Sequence, residues 1–122
     1  MKFRAILGLI AISAVFAVVS TAHAKSAKRA PWCEIASPAE GATVSGRSVT
    51  VVPIFFDING VKRMEFYCDG VLKSGYNMGP RMKTYNFSWS PGSKGPHSLC
   101  VRAYNTYGEW ADSSPDRNVT VQ

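Results

Sequence analysis

The chain has 122 residues, of which 46% are hydrophobic, 11% aromatic and 18% charged. That length excludes a multi-domain enzyme or a helical solenoid, and the composition is too apolar and too weakly charged for a disordered chain. The formal charge of +6 sits mostly before Pro31; beyond it nine Lys and Arg face eight Asp and Glu, so no basic groove for nucleic acid is expected.

Residues 1–24 read as a secretory signal peptide. Lys2 and Arg4 make a short basic start, Ala5 to Val19 is an uncharged apolar run, and Ala22-His23-Ala24 is a small-x-small cleavage pattern. The run is short for a bilayer span; an uncleaved anchor helix is the alternative. Cleavage predicts a secreted or periplasmic protein that starts at Lys25 and keeps no integral membrane segment. Lys25, Lys28 and Arg29 then belong to a basic flexible tail over residues 25–30.

From Pro31 to Gln122 the pattern is period-two alternation between turn signals, which predicts strands rather than helices. Cys33 and Ile35 share a face of a first strand ending at Ser37-Pro38. Glu40-Gly41 and Ser45-Gly46 punctuate the chain before Val49, Val51 and Phe55 mark a second strand, closed by Asp57 to Gly60. Met64, Phe66 and Cys68 alternate with Arg63, Glu65 and Tyr67 in a third, which turns at Asp69-Gly70. A short strand is expected after Gly70, and Ser74 to Pro80 reads as glycine-rich and irregular. Tyr85, Phe87 and Trp89 mark the next strand, stopped by Pro91-Gly92. Leu99, Val101 and Ala103 alternate with Cys100, Arg102 and Tyr104 ahead of Gly108, and Val119 and Val121 close the chain. Six strands and the short one predict an all-β, two-sheet sandwich of about seven strands.

The order of these segments resembles a known family. Ser37-Pro38-Ala39-Glu40-Gly41-Ala42-Thr43-Val44-Ser45-Gly46 leads to Val49-Thr50-Val51, Gly60-Val61 and Met64-Glu65-Phe66-Tyr67-Cys68-Asp69-Gly70. Phe87-Ser88-Trp89, Gly95-Pro96-His97-Ser98-Leu99 and Arg102-Ala103-Tyr104-Asn105-Thr106-Tyr107-Gly108 follow. The run resembles the bacterial immunoglobulin-like, fibronectin III-like domain found beside catalytic domains of secreted polysaccharide-degrading enzymes and in surface adhesins. The resemblance implies an immunoglobulin-like sandwich over residues 31–122 and leaves function open, because one fold hosts many sites. Pro53 and Phe55 stand where the family has small residues, so a bulge in the second strand is expected.

Catalysis has little to draw on. His97 is the one histidine after the signal segment, and it reads as a half-exposed residue at a strand start. No nucleophile elbow or phosphate loop surrounds it. A copper site of the sandwich type needs two histidines, and Asp57 with Asn59 falls short of a calcium shell. Asp57, Asp69 and Asp112 read as turn residues, while Glu65 alternates outward on its strand. No catalytic residue, metal site or cofactor is expected.

Binding is the better class. Phe66, Tyr85, Phe87 and Trp89 read as core, whereas Tyr67 and Tyr104 point outward. In the implied fold their strands are neighbours, so the two tyrosines could lie close together with Arg102 and Glu65, beside Tyr107 and Trp110 of the following loop. Tyr76 belongs to the irregular middle segment. Covering the sheet face is the plainer role for these aromatics. The expected partner is an envelope or extracellular protein or polysaccharide; a small secreted enzyme inhibitor or hydrolase, or a structural spacer, are the alternatives. Without a bulge, Val52, Ile54 and Phe56 would all face outward and suggest a partner surface or homodimer.

Cys33, Cys68 and Cys100 allow three pairings. Cys33 and Cys68 face inward toward opposite ends, and Cys68 and Cys100 lie toward the same end on opposite faces. A disulfide holds its Cα atoms within about 7 Å, so Cys68–Cys100 is the preferred candidate only with the help of a bulge. Three free thiols are the other outcome.

Overall fold

The computed structural model describes residues 30–79 and 82–122. The signal peptide expected over 1–24 and all but the last residue of the tail lie outside the described residues. Among those described, no helix is long and apolar enough to cross a membrane.

The described residues form nine strands: β1 (Trp32–Ser37), β2 (Ala42–Val44), β3 (Val49–Phe56), β4 (Val61–Cys68), β5 (Val71–Asn77), β6 (Phe87–Trp89), β7 (Gly95–Asn105), β8 (Trp110–Asp112) and β9 (Arg117–Val121). They make a three-stranded sheet, β1-β3-β6, and a larger one, β2-β9-β7-β4-β5, with β8 also paired to β7. β2 and β8, the two beyond the expected seven, have three residues each. Alternation cannot show in so few residues. β2 instead joins β9 in a parallel pair, and β8 folds back on β7 after the Gly108 turn. Two other boundaries differ: Ser74 to Asn77 is ordered as part of β5, and Tyr85 precedes β6.

Inward residues of both sheets make one core. Cys33, Ile35, Val51, Phe87 and Trp89 come from the small sheet; Met64, Phe66, Leu99, Val101 and Val119 come from the large one. Phe66 stacks on Phe87 at 5.7 Å and meets Trp89 edge-on at 6.3 Å. Burying such a side chain contributes roughly 1.5–3 kcal/mol, so this trio clamps the sheets together. Tyr85 is only half-buried, edge-on to Phe87 and stacked on Tyr76 at 4.1 Å.

The bulge expected in β3 lies in its partner. The β1–β3 ladder shifts register between Ile35 and Ser37, opposite Pro53 and Val52. Proline cannot donate to a ladder, and β3 tolerates Pro53 because its pairing with β6 covers only Val49 to Val51. β3 therefore keeps strict alternation. Ile54 and Phe56 face outward, 49% and 66% exposed, with Trp32 opposite Phe56 and Val52 half-buried.

Candidate functional site

Register across the large sheet builds the outer face. β4 and β7 place Glu65 opposite Arg102, Arg63 opposite Tyr104 and Tyr67 opposite Cys100. β8 then sets Asp112 beside Arg102 and Trp110 beside Tyr104, while β5 sets Gly75 beside Glu65. The expected outward residues Tyr67, Arg102 and Tyr104 thus belong to one surface, and Trp110, expected in a loop, joins it from β8. The two tyrosines are not opposite one another; they approach Glu65 from either side.

Glu65 is the hub. Its Oε1 accepts hydrogen bonds from Tyr67 Oη at 2.8 Å and Tyr104 Oη at 3.0 Å, and its Oε2 accepts from Arg63 Nε at 3.0 Å. So roofed, it is 8% exposed although it points away from the core. Burial pushes its carboxyl pKa upward, but the hydrogen bonds from Tyr67, Arg63 and Tyr104 outweigh burial and hold it below its ordinary 4.5. Burial and the Glu65 carboxylate push the Tyr67 phenol up to about 12. Gly75 supplies the room: a Cβ there would collide with the Arg63 guanidinium, which lies over it and reaches Asn77 Oδ1 at 2.8 Å.

Arg102 forms the second half. Asp112 binds it in a fork, Nε to Oδ1 at 2.6 Å and Nη2 to Oδ2 at 3.1 Å. The fork holds its guanidinium firmly charged, 3.8 Å over the Trp110 ring and 5.4 Å from the Tyr67 ring. Asp112, read as a turn residue, stands on β8 and clamps this cation. Buried Asn105 fixes the turn that delivers Trp110. Its Oδ1 accepts the N–H groups of Tyr107 and Glu109, and its Nδ2 donates to Glu109 Oε1. Tyr107 stands at that turn, 64% exposed. Beside Tyr67 and Arg102 opens a cleft of about 260 Å³, bounded also by Ser98, Cys100, Asp112 and Asp116.

The cysteines are free. Cys68 pairs in register with Leu99 and Cys100 with Tyr67, so the disulfide candidates remain on opposite faces. The irregularity in this ladder falls at Val61/Arg63, too far along to bring them together. Cys33 is wedged under β7 and β8, its thiol donating to the Val101 and Ala111 carbonyls. Burial pushes Cys33 up to about 12 and Cys68 and Cys100 up to about 11, so all three are protonated thiols at neutral pH.

Asp57 is a turn residue, its Oδ2 accepting the Asn59 N–H at 2.8 Å. His97 stands at a strand start as expected, but with partners that the sequence did not announce. It lies within β7, packed edge-on to Trp89 with its side chain 10% exposed, and its Nδ1 is 2.7 Å from Asp69 Oδ2. Asp69, in the β4–β5 turn at φ 53°, also receives the Ser98 N–H on Oδ1 and the Cys68 thiol on Oδ2. Asp69 above all, then the Ser93 carbonyl, pushes the His97 pKa up; His97 in turn holds Asp69 below the usual carboxylate range. This is no nucleophilic relay. In a thiol–imidazole–carboxylate triad the outer groups bind opposite ring nitrogens, whereas Cys68 and Asp69 both address Nδ1. Sequence reading missed the cluster because Asp69 and His97 are 28 residues apart; their adjacent Gly70 and Gly95-Pro96 turn signals were the only hint.

The comparisons agree with this architecture. A family model for the bacterial Ig domain matches residues 31–101. No curated protein sequence matches the chain. Among solved structures, the Clostridium thermocellum CbhA fibronectin(III)-like modules align with a TM-score of 0.63 at 23% identity, covering 74% of this chain and 94% of theirs. The Thermotoga petrophila endo-beta-1,4-mannanase aligns at 0.60 and 14% identity, over 80% of this chain but only 21% of the enzyme. A Jonesia denitrificans lytic polysaccharide monooxygenase aligns at 0.54 and 12% identity, covering 70% of this chain and 60% of that one. Such identities speak for the fold alone.

Proposed function

The chain belongs to the bacterial Ig domain family, and from that premise we propose that it is a secreted or periplasmic, non-catalytic module that binds polysaccharide at the cell envelope. The observation that carries the reading is the cleft beside Tyr67 and Arg102. An aromatic ring suits the apolar face of a sugar, and the neighbouring guanidinium, carboxylates and hydroxyl suit its rim of hydroxyl groups. These groups are held in place before any ligand arrives, by the Asp112 fork and the Glu65 hub, which lowers the entropic cost of capture. Trp110 supports Arg102 from beneath, and Tyr104 joins the same face through Glu65. Mannanase and monooxygenase relatives in fold lend the polysaccharide class further support. The protonated thiols and the His97 geometry argue against a cysteine hydrolase.

Capture of the purified protein by a panel of β-linked mannans, glucans and peptidoglycan, followed by affinity electrophoresis, tests this. Tyr67→Ala or Arg102→Ala should weaken binding about tenfold or more while the fold is kept, as hot-spot truncations do. Normal binding by both variants would place the site elsewhere. No capture by the folded parent would favour the spacer role.

A protein partner is the second reading, favoured by the apolar outer face of the small sheet, where Trp32, Ile54 and Phe56 are exposed together. A second copy of the chain is one such partner. Sedimentation of the parent and Phe56→Ser tests it: a concentration-dependent dimer abolished by the substitution supports the reading, and a monomer throughout removes the homodimer.

A further inference from the structure

We propose that Cys68, Asp69 and His97 form a three-ligand site for a divalent ion of the zinc class, with a fourth position open to the cleft beside Trp89. The site shares no ligand residue with the tyrosine face and goes beyond the binding role. Its geometry comes from topology: the β4–β5 turn brings Cys68 and Asp69 against the first residues of β7, where His97 lies.

The donor atoms converge. Cys68 Sγ is 3.5 Å from Asp69 Oδ2 and 3.8 Å from His97 Nδ1, and the last two atoms are 2.7 Å apart. Tetrahedral zinc with Zn–S near 2.3 Å and Zn–N and Zn–O near 2.1 Å sets its ligand atoms roughly 3.4–3.6 Å apart. The two edges that involve sulfur are already close to this. The third must open by about 0.7 Å, which the half-exposed Asp69 side chain can supply.

The imidazole is oriented as a ligand. Its Nε2 lies 2.8 Å from the Ser93 carbonyl, a partner that keeps the proton on Nε2 and aims the Nδ1 lone pair at the cluster. Nδ1 then faces a carboxylate oxygen. A neutral imidazole has one N–H and cannot satisfy acceptors on both sides. The cluster therefore calls for a second positive species at that point, either a proton on Nδ1 or a metal ion. Asp69 Oδ1, anchored by the Ser98 N–H at 2.8 Å, leaves Oδ2 for the ion. Binding displaces the Cys68 thiol proton to solvent, and the resulting thiolate and the Asp69 carboxylate neutralise the dication, so Lys73, which lines the same cleft, faces a cluster without net charge. The adjoining cleft of about 200 Å³ has room for water at the fourth position.

The test is titration of the purified protein with cobalt(II), then competition by zinc(II). One equivalent of cobalt should produce a thiolate charge-transfer band in the near ultraviolet and the d–d absorption of a tetrahedral ion, both erased by one equivalent of zinc. Cys68→Ser should remove the charge-transfer band. His97→Gln and Asp69→Asn should each weaken cobalt binding at least tenfold, while Cys100→Ser should leave band and stoichiometry unchanged. Circular dichroism confirms that each variant is folded, and His97→Gln and Asp69→Asn leave the buried thiol in place should Cys68→Ser fail to fold. A folded parent that shows no thiolate band overturns the proposal. So does a His97→Gln protein with parental cobalt affinity, which would identify the cluster as an imidazolium held by Asp69 and Ser93.

Discussion

The two outer faces of the sandwich obey the same alternation and end in opposite states. On the large sheet, the outward groups around Glu65 and Arg102 are tied to one another along β4 and across to β7 and β8, so a carboxylate is buried on the side away from the core. On the small sheet, Trp32, Ile54 and Phe56 stand exposed with no such lattice drawn over them. The contrast teaches that pointing outward and being exposed are separate properties. Alternation settles the first, and the long polar side chains of neighbouring strands settle the second.

The strongest way to break the comparison is to remove the floor both faces share. Phe66→Ala should cost about 3–5 kcal/mol of stability in urea unfolding, because it empties the contact between Phe87 and Trp89 and loosens both sheets together. A loss under 1 kcal/mol would mean that the core closes over the gap.

Next, matched substitutions separate the faces. Glu65→Ala leaves two tyrosine hydroxyls and the Arg63 Nε–H without their acceptor and should cost about 1–3 kcal/mol. Phe56→Ser on the other face should stay within roughly 0.5 kcal/mol, since its side chain is largely in water. Equal losses in the two variants would remove the distinction between a lattice and a bare face.

pH sharpens the contrast, because the outer face of the large sheet carries shifted groups in Glu65 and Tyr67. Glu65 has a folded pKa below 4.5, so its share of stability is complete above that value and is lost as pH falls through the folded pKa. Tyr67 has a folded pKa raised from 10.0 to about 12, so its share is complete below pH 10 and is lost as pH rises toward 12. Urea midpoints across pH should show both limbs. Glu65→Gln should make the acid limb shallower, leaving the part owed to Asp69, Tyr67→Phe should make the alkaline limb shallower, and Phe56→Ser should change neither.

A smaller effect than that of Glu65→Ala is expected at Gly75, on the same face. Gly75→Ala displaces the Arg63 guanidinium from over the strand, and because that side chain is flexible the cost should be about 0.5–1 kcal/mol. A pH profile of the variant checks it: the acid limb should shrink as Glu65 loses one of its three donors. An unchanged profile would show that Arg63 finds another path to Glu65.

Much of this protein was legible in its residues. Turn signals at Asp69-Gly70 and Pro91-Gly92 and alternation from Met64 to Cys68 and from Leu99 to Tyr104 sufficed for the sandwich. The inward set was readable down to Phe66, Phe87 and Trp89, as was the outward side of Tyr67, Arg102 and Tyr104. These are local properties, dictated by a side-chain period of two. Tertiary structure alone decided what met what. Register put Arg102 between Glu65 and Asp112, left Cys68 and Cys100 without a bulge between them, moved the bulge from β3 to β1, and carried His97 to Cys68 and Asp69. The physical reason is that alternation assigns each residue to a face but says nothing about its position along the neighbouring strand, and ion pairs, hubs and ligand clusters are made between strands.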